Sequence, residues 1–83
     1  MHLLPLIRLK QAVHNRLQST GNAIEIDPQN AELYYWRGML YYISNQLNES
    51  LEDLKVGVDF EPFRDLTKKL MNKLRQKMKN ELR

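Results

Sequence analysis

The apolar residues in the C-terminal part of the chain recur with helical spacing. Residues 63–83 contain no Gly and no Pro. Within them, every fourth position from residue 66 onward is apolar: Leu66, Leu70, Leu74, Met78 and Leu82. Side chains four residues apart lie near one face of a helix. The pattern therefore predicts one long helix over residues 63–83. Because a strict four-residue step drifts around the helix axis, we expect the first half of this row to pack and the second half to fray or to meet another chain.

The middle of the chain predicts two antiparallel helices. Asn30 precedes an apolar segment and can cap a first helix over residues 31–44. A turn at residues 45–47 and a second cap at Asn48 then introduce a helix over residues 49–60. The apolar face of this second helix carries Leu51, Leu54 and Val58, and its polar face carries Glu49, Glu52, Asp53 and Asp59.

The N-terminal segment leaves two alternatives open. Its apolar residues predict a helix over residues 4–18, and the polar residues 19–22 then indicate a break. In the alternative, tertiary packing holds one helix from about residue 12 to residue 26, despite a cost of about 1 kcal/mol for Gly21. The sequence pattern does not decide between them.

A regular order of aromatic, small and large apolar positions follows Pro28. These positions are Tyr34, Gly38, Tyr41, Ser50, Leu54, Gly57 and Pro62. Similar acidic and apolar residues precede both prolines, which are 34 residues apart. This order and spacing resemble the tetratricopeptide repeat family, which stacks helix-turn-helix units of 34 residues. Arg37 stands where the family pattern has Leu.

The resemblance implies an all-α fold, in which an antiparallel helix-turn-helix repeat of the α-solenoid type continues into a long C-terminal helix. It divides a single domain over residues 1–83 into an N-terminal helical segment with a partial repeat (1–30), a complete repeat (31–62) and a capping helix (63–83). Gly38 is expected to let the two repeat helices approach closely, with the aromatic rings of Tyr34 and Tyr41 on either side.

The first repeat helix is apolar around most of its circumference, so two of its faces need cover. The resemblance implies that the second face lines a groove for a partner, formed by Glu32, Tyr35, Trp36, Met39, Tyr42 and Ile43. We expect a protein-interaction module or scaffold that binds an apolar peptide, a helix or a second copy of itself. The alternative is that another segment of the chain covers this face as ordinary core.

The net charge of +3 is unevenly distributed. Residues 64–83 contain eight basic and two acidic side chains, whereas residues 31–63 contain two and six. The basic candidates are Lys68, Lys69, Lys73, Arg75, Lys77 and Lys79. The alternative function is association with nucleic acid through these side chains, and an acidic protein could also bind them. No aromatic residue lies among them to stack on bases. A solvated face of a capping helix is the simpler interpretation of these side chains.

Other kinds of site have little support in the sequence. The chain has no Cys, and therefore no disulfide and no thiolate site. His2 and His14 lack the spacing of a metal pair and have no carboxylate nearby. We expect no enzyme, no cofactor, no metal and no insertion into a membrane. The cytoplasm is the expected location, with the nucleus and, because the first 24 residues contain no acidic side chain, the mitochondrial matrix as alternatives.

Overall fold

The computed structural model describes residues 4–81, with side chains from residue 7 onward. The predicted helix position Leu82 and the histidine at position 2 lie outside the described residues. Four α-helices follow in order: α1 (Leu4–Ile26), α2 (Ala31–Ile43), α3 (Leu47–Gly57) and α4 (Arg64–Glu81), with a 3-10 turn at Glu61–Phe63 before α4. α2 packs against α1 on one side and α3 on the other, and α4 packs against α3. This confirms the predicted all-α helical-repeat fold.

The two N-terminal alternatives resolve into one continuous helix, because α1 runs through residues 19–22 without a break. The hydroxyl of Thr20 donates to the carbonyl of Arg16 at 2.7 Å, so this polar side chain bonds within the helix instead of ending it. Further along, Ile24 is buried where α1 packs against α2. Tertiary packing thus outweighs the local preference for a break at Gly21.

The caps of the two middle helices differ from each other. The Asn30 side chain accepts a hydrogen bond from the backbone N–H of Glu32 at 3.0 Å, which confirms the predicted cap of α2. The predicted cap at Asn48 is wrong, since α3 begins at Leu47 after Gln46. Asn45 adopts a left-handed backbone with φ of 62°, which reverses the chain early enough for the helix to start two residues sooner.

Two glycines bring α2 and α3 into close contact. A Cβ added at Gly38 would lie 2.8 Å from the side chain of Leu54, and one added at Gly57 would lie 2.8 Å from the Cα of Tyr35. Between them, the buried hydroxyl of Ser50 donates to the carbonyl of Gly38 at 2.7 Å. The helices therefore approach so closely that only a glycine fits at either position without a shift.

The core lies between α2, α3 and α4. Leu54 and Leu74 are fully buried, and Met71 is nearly so. The buried positions of α4 are Thr67, Met71 and Leu74, with spacings of four and three residues. Leu66, the first member of the predicted apolar row, is 55% exposed. The prediction that the first half of the row packs is therefore wrong at Leu66, whereas Leu74 in the middle of the row is fully buried and Met78 in its second half packs against the core.

Arg37 forms a bidentate ion pair with Asp53 across the contact of α2 and α3. Its Nε and Nη2 donate to the two carboxylate oxygens at 2.7 and 2.9 Å. The hydrogen bond to Asp53 raises the pKa of Arg37, and the guanidinium lies over the rings of Tyr34 and Tyr41 at 5.6 and 5.9 Å. Asp53 is buried, so its expected place on the polar face of the second helix is wrong.

Replacing Gly57 with Ala is expected to lower the free energy of unfolding by about 1 to 3 kcal/mol, because the new Cβ would meet the backbone of Tyr35. Gly21→Ala is the control, since a Cβ there meets nothing within 4 Å. That change should raise the free energy of unfolding by about 0.5 to 1 kcal/mol through better helix propensity. Urea denaturation followed by circular dichroism measures both variants. Wild-type stability of Gly57→Ala would contradict the close contact.

Replacing Arg37 with Leu should cost about 1 to 3 kcal/mol of unfolding free energy, because it leaves the carboxylate of Asp53 buried without its partner. Adding Asp53→Leu to that variant should recover most of the loss. Lys55→Leu is the control, since its 3.5 Å pair with Glu52 is exposed and should contribute little. Failure of the double variant to regain stability in thermal unfolding would show that the pair does more than satisfy two buried charges.

Candidate interaction site

An apolar groove runs between α1 and α2. Its larger part has a volume of about 530 Å³ and is lined by Arg16, Ser19, Thr20, Leu33, Trp36, Met39, Leu40 and Ile43. A neighbouring depression of about 430 Å³ shares Ile43 and is lined otherwise by Leu9, Lys10, Val13, His14, Leu17, Ser44, Asn45 and Gln46. We call the two together the α1–α2 groove.

Two hydrogen bonds hold the turn between α1 and α2 and so fix the relative orientation of the two helices. The amide of Asn30 donates to the Asp27 carboxylate at 3.1 Å, and the hydroxyl of Tyr34 donates to the carbonyl of Pro28 at 2.9 Å. On the face of α1 that carries Val13, Leu17 and Ile24, the residue near this turn, Ile24, is 8% exposed. Far from the turn Leu9 is 56% exposed. The apolar side of α1 is therefore increasingly uncovered towards its N-terminal end.

Trp36 connects the groove with an aromatic cluster of the core. Its ring lies edge-to-face with Tyr35, at 5.1 Å between centroids, and with Phe63, at 5.8 Å. Its indole N–H donates to the carboxylate of Glu32 at 3.2 Å. The remainder of the side chain faces the groove, and Trp36 is 43% exposed. An indole fixed in this way offers a rigid apolar surface to a partner.

The charged side chains that line the groove are basic, while the carboxylate of Glu32 lies beside it and accepts a hydrogen bond from the Trp36 indole. Lys10 and Arg16 are among the residues that line it, and no acidic side chain is found among those lining residues in the described part of the chain. The groove thus combines an apolar floor on α2 with basic side chains on α1.

The predicted partner-binding residues are distributed over two sides of α2. Trp36, Met39 and Ile43 line the α1–α2 groove, and Glu32 holds the indole of Trp36. Tyr35 is a correction to the predicted face, because it is only 6% exposed and belongs to the core.

Tyr42 also lies on the other side of α2. It packs against the core, and the Lys77 ammonium lies over its ring at 5.4 Å. The reason for the division is angular, since each residue advances about 100° around the helix. Positions 35 and 42 therefore share one stripe, whereas positions 36 and 43 share the next.

Sequence reasoning missed the contribution of α1 to the groove. Val13, Leu17, Thr20 and Ile24 follow one another at spacings of four, three and four residues, which places them along one face of a helix. For one continuous helix, this spacing by itself predicts an apolar face on α1. Lys10 and Arg16 lie beside that face and carry its charge.

The predicted basic candidates form no part of the groove. All six are exposed on α4, which packs against α3. Their binding to nucleic acid stays a prediction. Within residues 4–81, no helix is long and apolar enough to cross a membrane. The side chains described there include no group of three or more His, Asp or Glu placed to hold a metal ion.

Comparison with known proteins identifies a family for the helical hairpin. The family model described as "Tetratricopeptide repeat" matches residues 21–52. Sperm-associated antigen 1 from Mus musculus is 33% identical over 64 residues, which are 77% of this chain and 7% of that protein. The chain thus spans a small part of the length of this curated relative. No solved structure matches the chain significantly. On the family match, the similarity to this relative and the fold, the chain belongs to the tetratricopeptide repeat family.

Proposed function

We propose that this protein is a protein-interaction module that takes up a partner in the α1–α2 groove. The family suggests a role in protein–protein interaction or as a scaffold. The observation that carries the finer proposal is the row of Trp36, Met39 and Ile43, which faces the groove over two turns of α2. Trp36 is 43% and Ile43 is 57% exposed, whereas Met39 between them is partly buried against the core.

The residue types in this row are suited to binding. Trp and Met are enriched in the cores of protein interfaces, and Trp is frequent among the residues whose removal weakens binding most. Because Trp36 is held by Glu32 and by the ring of Phe63, little side-chain freedom remains to be lost on association. Burying its exposed part would remove apolar surface from water, which favours the complex.

Replacing Trp36 with Ala is expected to lower the free energy of unfolding by about 1 to 3 kcal/mol. The indole contributes its edge contacts with Tyr35 and Phe63, but nearly half of it is exposed and adds nothing to folding. Chemical denaturation measures this loss, and sedimentation across concentration shows whether the chain associates with itself through the same residue. A loss above about 4 kcal/mol, as for a fully buried residue, with unchanged association would contradict the proposed role of the indole.

Replacing Ile43 with Gln should weaken partner binding about tenfold or more, because it places an amide on the floor of the groove. Peptides selected from a random display library against the full chain provide the ligands, and calorimetry measures their affinities. Val56→Gln is the matched control, since Val56 is a comparably exposed aliphatic residue on α3, at 41%. Selected peptides that bind the Ile43 variant as tightly as the wild type would overturn the proposed function.

A further inference from the structure

We infer that the partner segment in the α1–α2 groove is an amphipathic helix with acidic residues along its polar edge. This inference rests on the proposed function and adds the chemistry of the partner. It draws on the hydrogen-bonding groups that the groove offers, the spacing of its apolar residues and the sign of its charges.

The floor of the groove on α2 offers few hydrogen-bonding groups to the main chain of a peptide, because the polar lining side chains belong to α1 and to the turn after α2. The apolar residues on its floor belong to α2, whose backbone groups are already bonded within the helix. On the facing wall, the hydroxyl of Thr20 donates to the carbonyl of Arg16. An extended peptide would bury N–H and C=O groups without partners here, which is costly. A helical segment satisfies these groups internally and presents only side chains.

The spacing of the floor also matches a helix. Trp36, Met39 or Leu40, and Ile43 follow the i, i+3 or i+4, i+7 pattern, so one apolar side chain recurs about every 5.4 Å along α2. A partner helix repeats its own apolar face with the same period, and the two rows can interdigitate. An extended strand instead presents side chains on one face about every 6.6 Å, which falls out of step.

The charges select the polar edge of that helix. Lys10 and Arg16 lie on the α1 wall, and the lining residues given by the structure include no carboxylate. A partner helix with Glu or Asp on the edge next to α1 gains attraction, whereas one with Lys or Arg is repelled. The strongly basic α4 of a second copy is therefore a poor occupant.

Two synthetic peptides without tryptophan test this inference directly. Both carry Leu at helical i, i+3, i+4 and i+7 spacing, and they differ only in having Glu or Lys on the flanking positions. Trp36 is the single tryptophan of the chain and lines the groove, so its fluorescence reports binding. We expect the Glu peptide to bind at least fivefold more tightly than the Lys peptide at low salt, with the difference shrinking as salt is added.

A charge reversal at Arg16 locates the effect. Arg16→Glu should weaken binding of the Glu peptide about fivefold and strengthen binding of the Lys peptide. Arg75→Glu is the matched control, because it changes the net charge equally but lies exposed on α4, away from the groove lining. It should leave both affinities within about twofold of the wild type.

The outcomes separate this inference from the proposed function. Equal binding of both peptides, weakened in Ile43→Gln, would overturn the acidic edge and leave the groove as the binding site. Equal effects of the two Arg variants would overturn the role of the α1 wall. Failure of both peptides to bind, while library-selected peptides remain sensitive to Ile43→Gln, would overturn the helical partner. Peptide binding unaffected by Ile43→Gln would overturn the groove itself.

Discussion

The close approach of α2 and α3 is the constraint on which the rest of the structure depends. At Gly38 and Gly57 there is no room for a Cβ, so the two helix backbones meet almost directly. This contact seats Leu54 in the centre of the core and brings Tyr35 over the end of α3. The ring of Phe63 then packs on Tyr35 at 5.0 Å, and this residue leads straight into α4.

The Arg37–Asp53 pair fixes the rotation of α2 about its own axis. A bidentate guanidinium–carboxylate contact is directional, so α2 cannot turn without breaking it. Because successive residues are about 100° apart, fixing Arg37 towards α3 also fixes the direction of Trp36, its neighbour in sequence. The groove is therefore positioned by an ion pair on a different side of the helix. In the sequence, the residue that forms this ion pair is visible as a departure from the family pattern, because Arg37 stands where the family has Leu.

Much of the fold could be predicted from local patterns, and the rest depended on contacts between distant residues. Apolar spacing and the Asn30 cap were enough for α2. The predicted cap at Asn48 is wrong because an Asn residue is compatible with both a helix cap and a left-handed turn. Here Asn45 adopts the left-handed turn, and α3 begins before Asn48. Tyr35 and Trp36 are adjacent aromatic residues, so composition alone could not decide which is buried. That choice depends on contacts with distant residues, because Tyr35 clusters with Leu54 and Leu74 in the core, whereas Trp36 also lines the groove.

The hydrogen bond from the Trp36 indole to Glu32 limits what the groove can recognise. A free indole N–H would reward a partner that places an oxygen opposite it, and would penalise one that does not. Here that donor is already satisfied within α2, so burying the ring leaves no polar atom of the indole to be matched. In the proposed complex, partners would then be discriminated by shape and by charge, and different apolar side chains could occupy the same position over the ring. Such a surface would tolerate sequence variation in the partner.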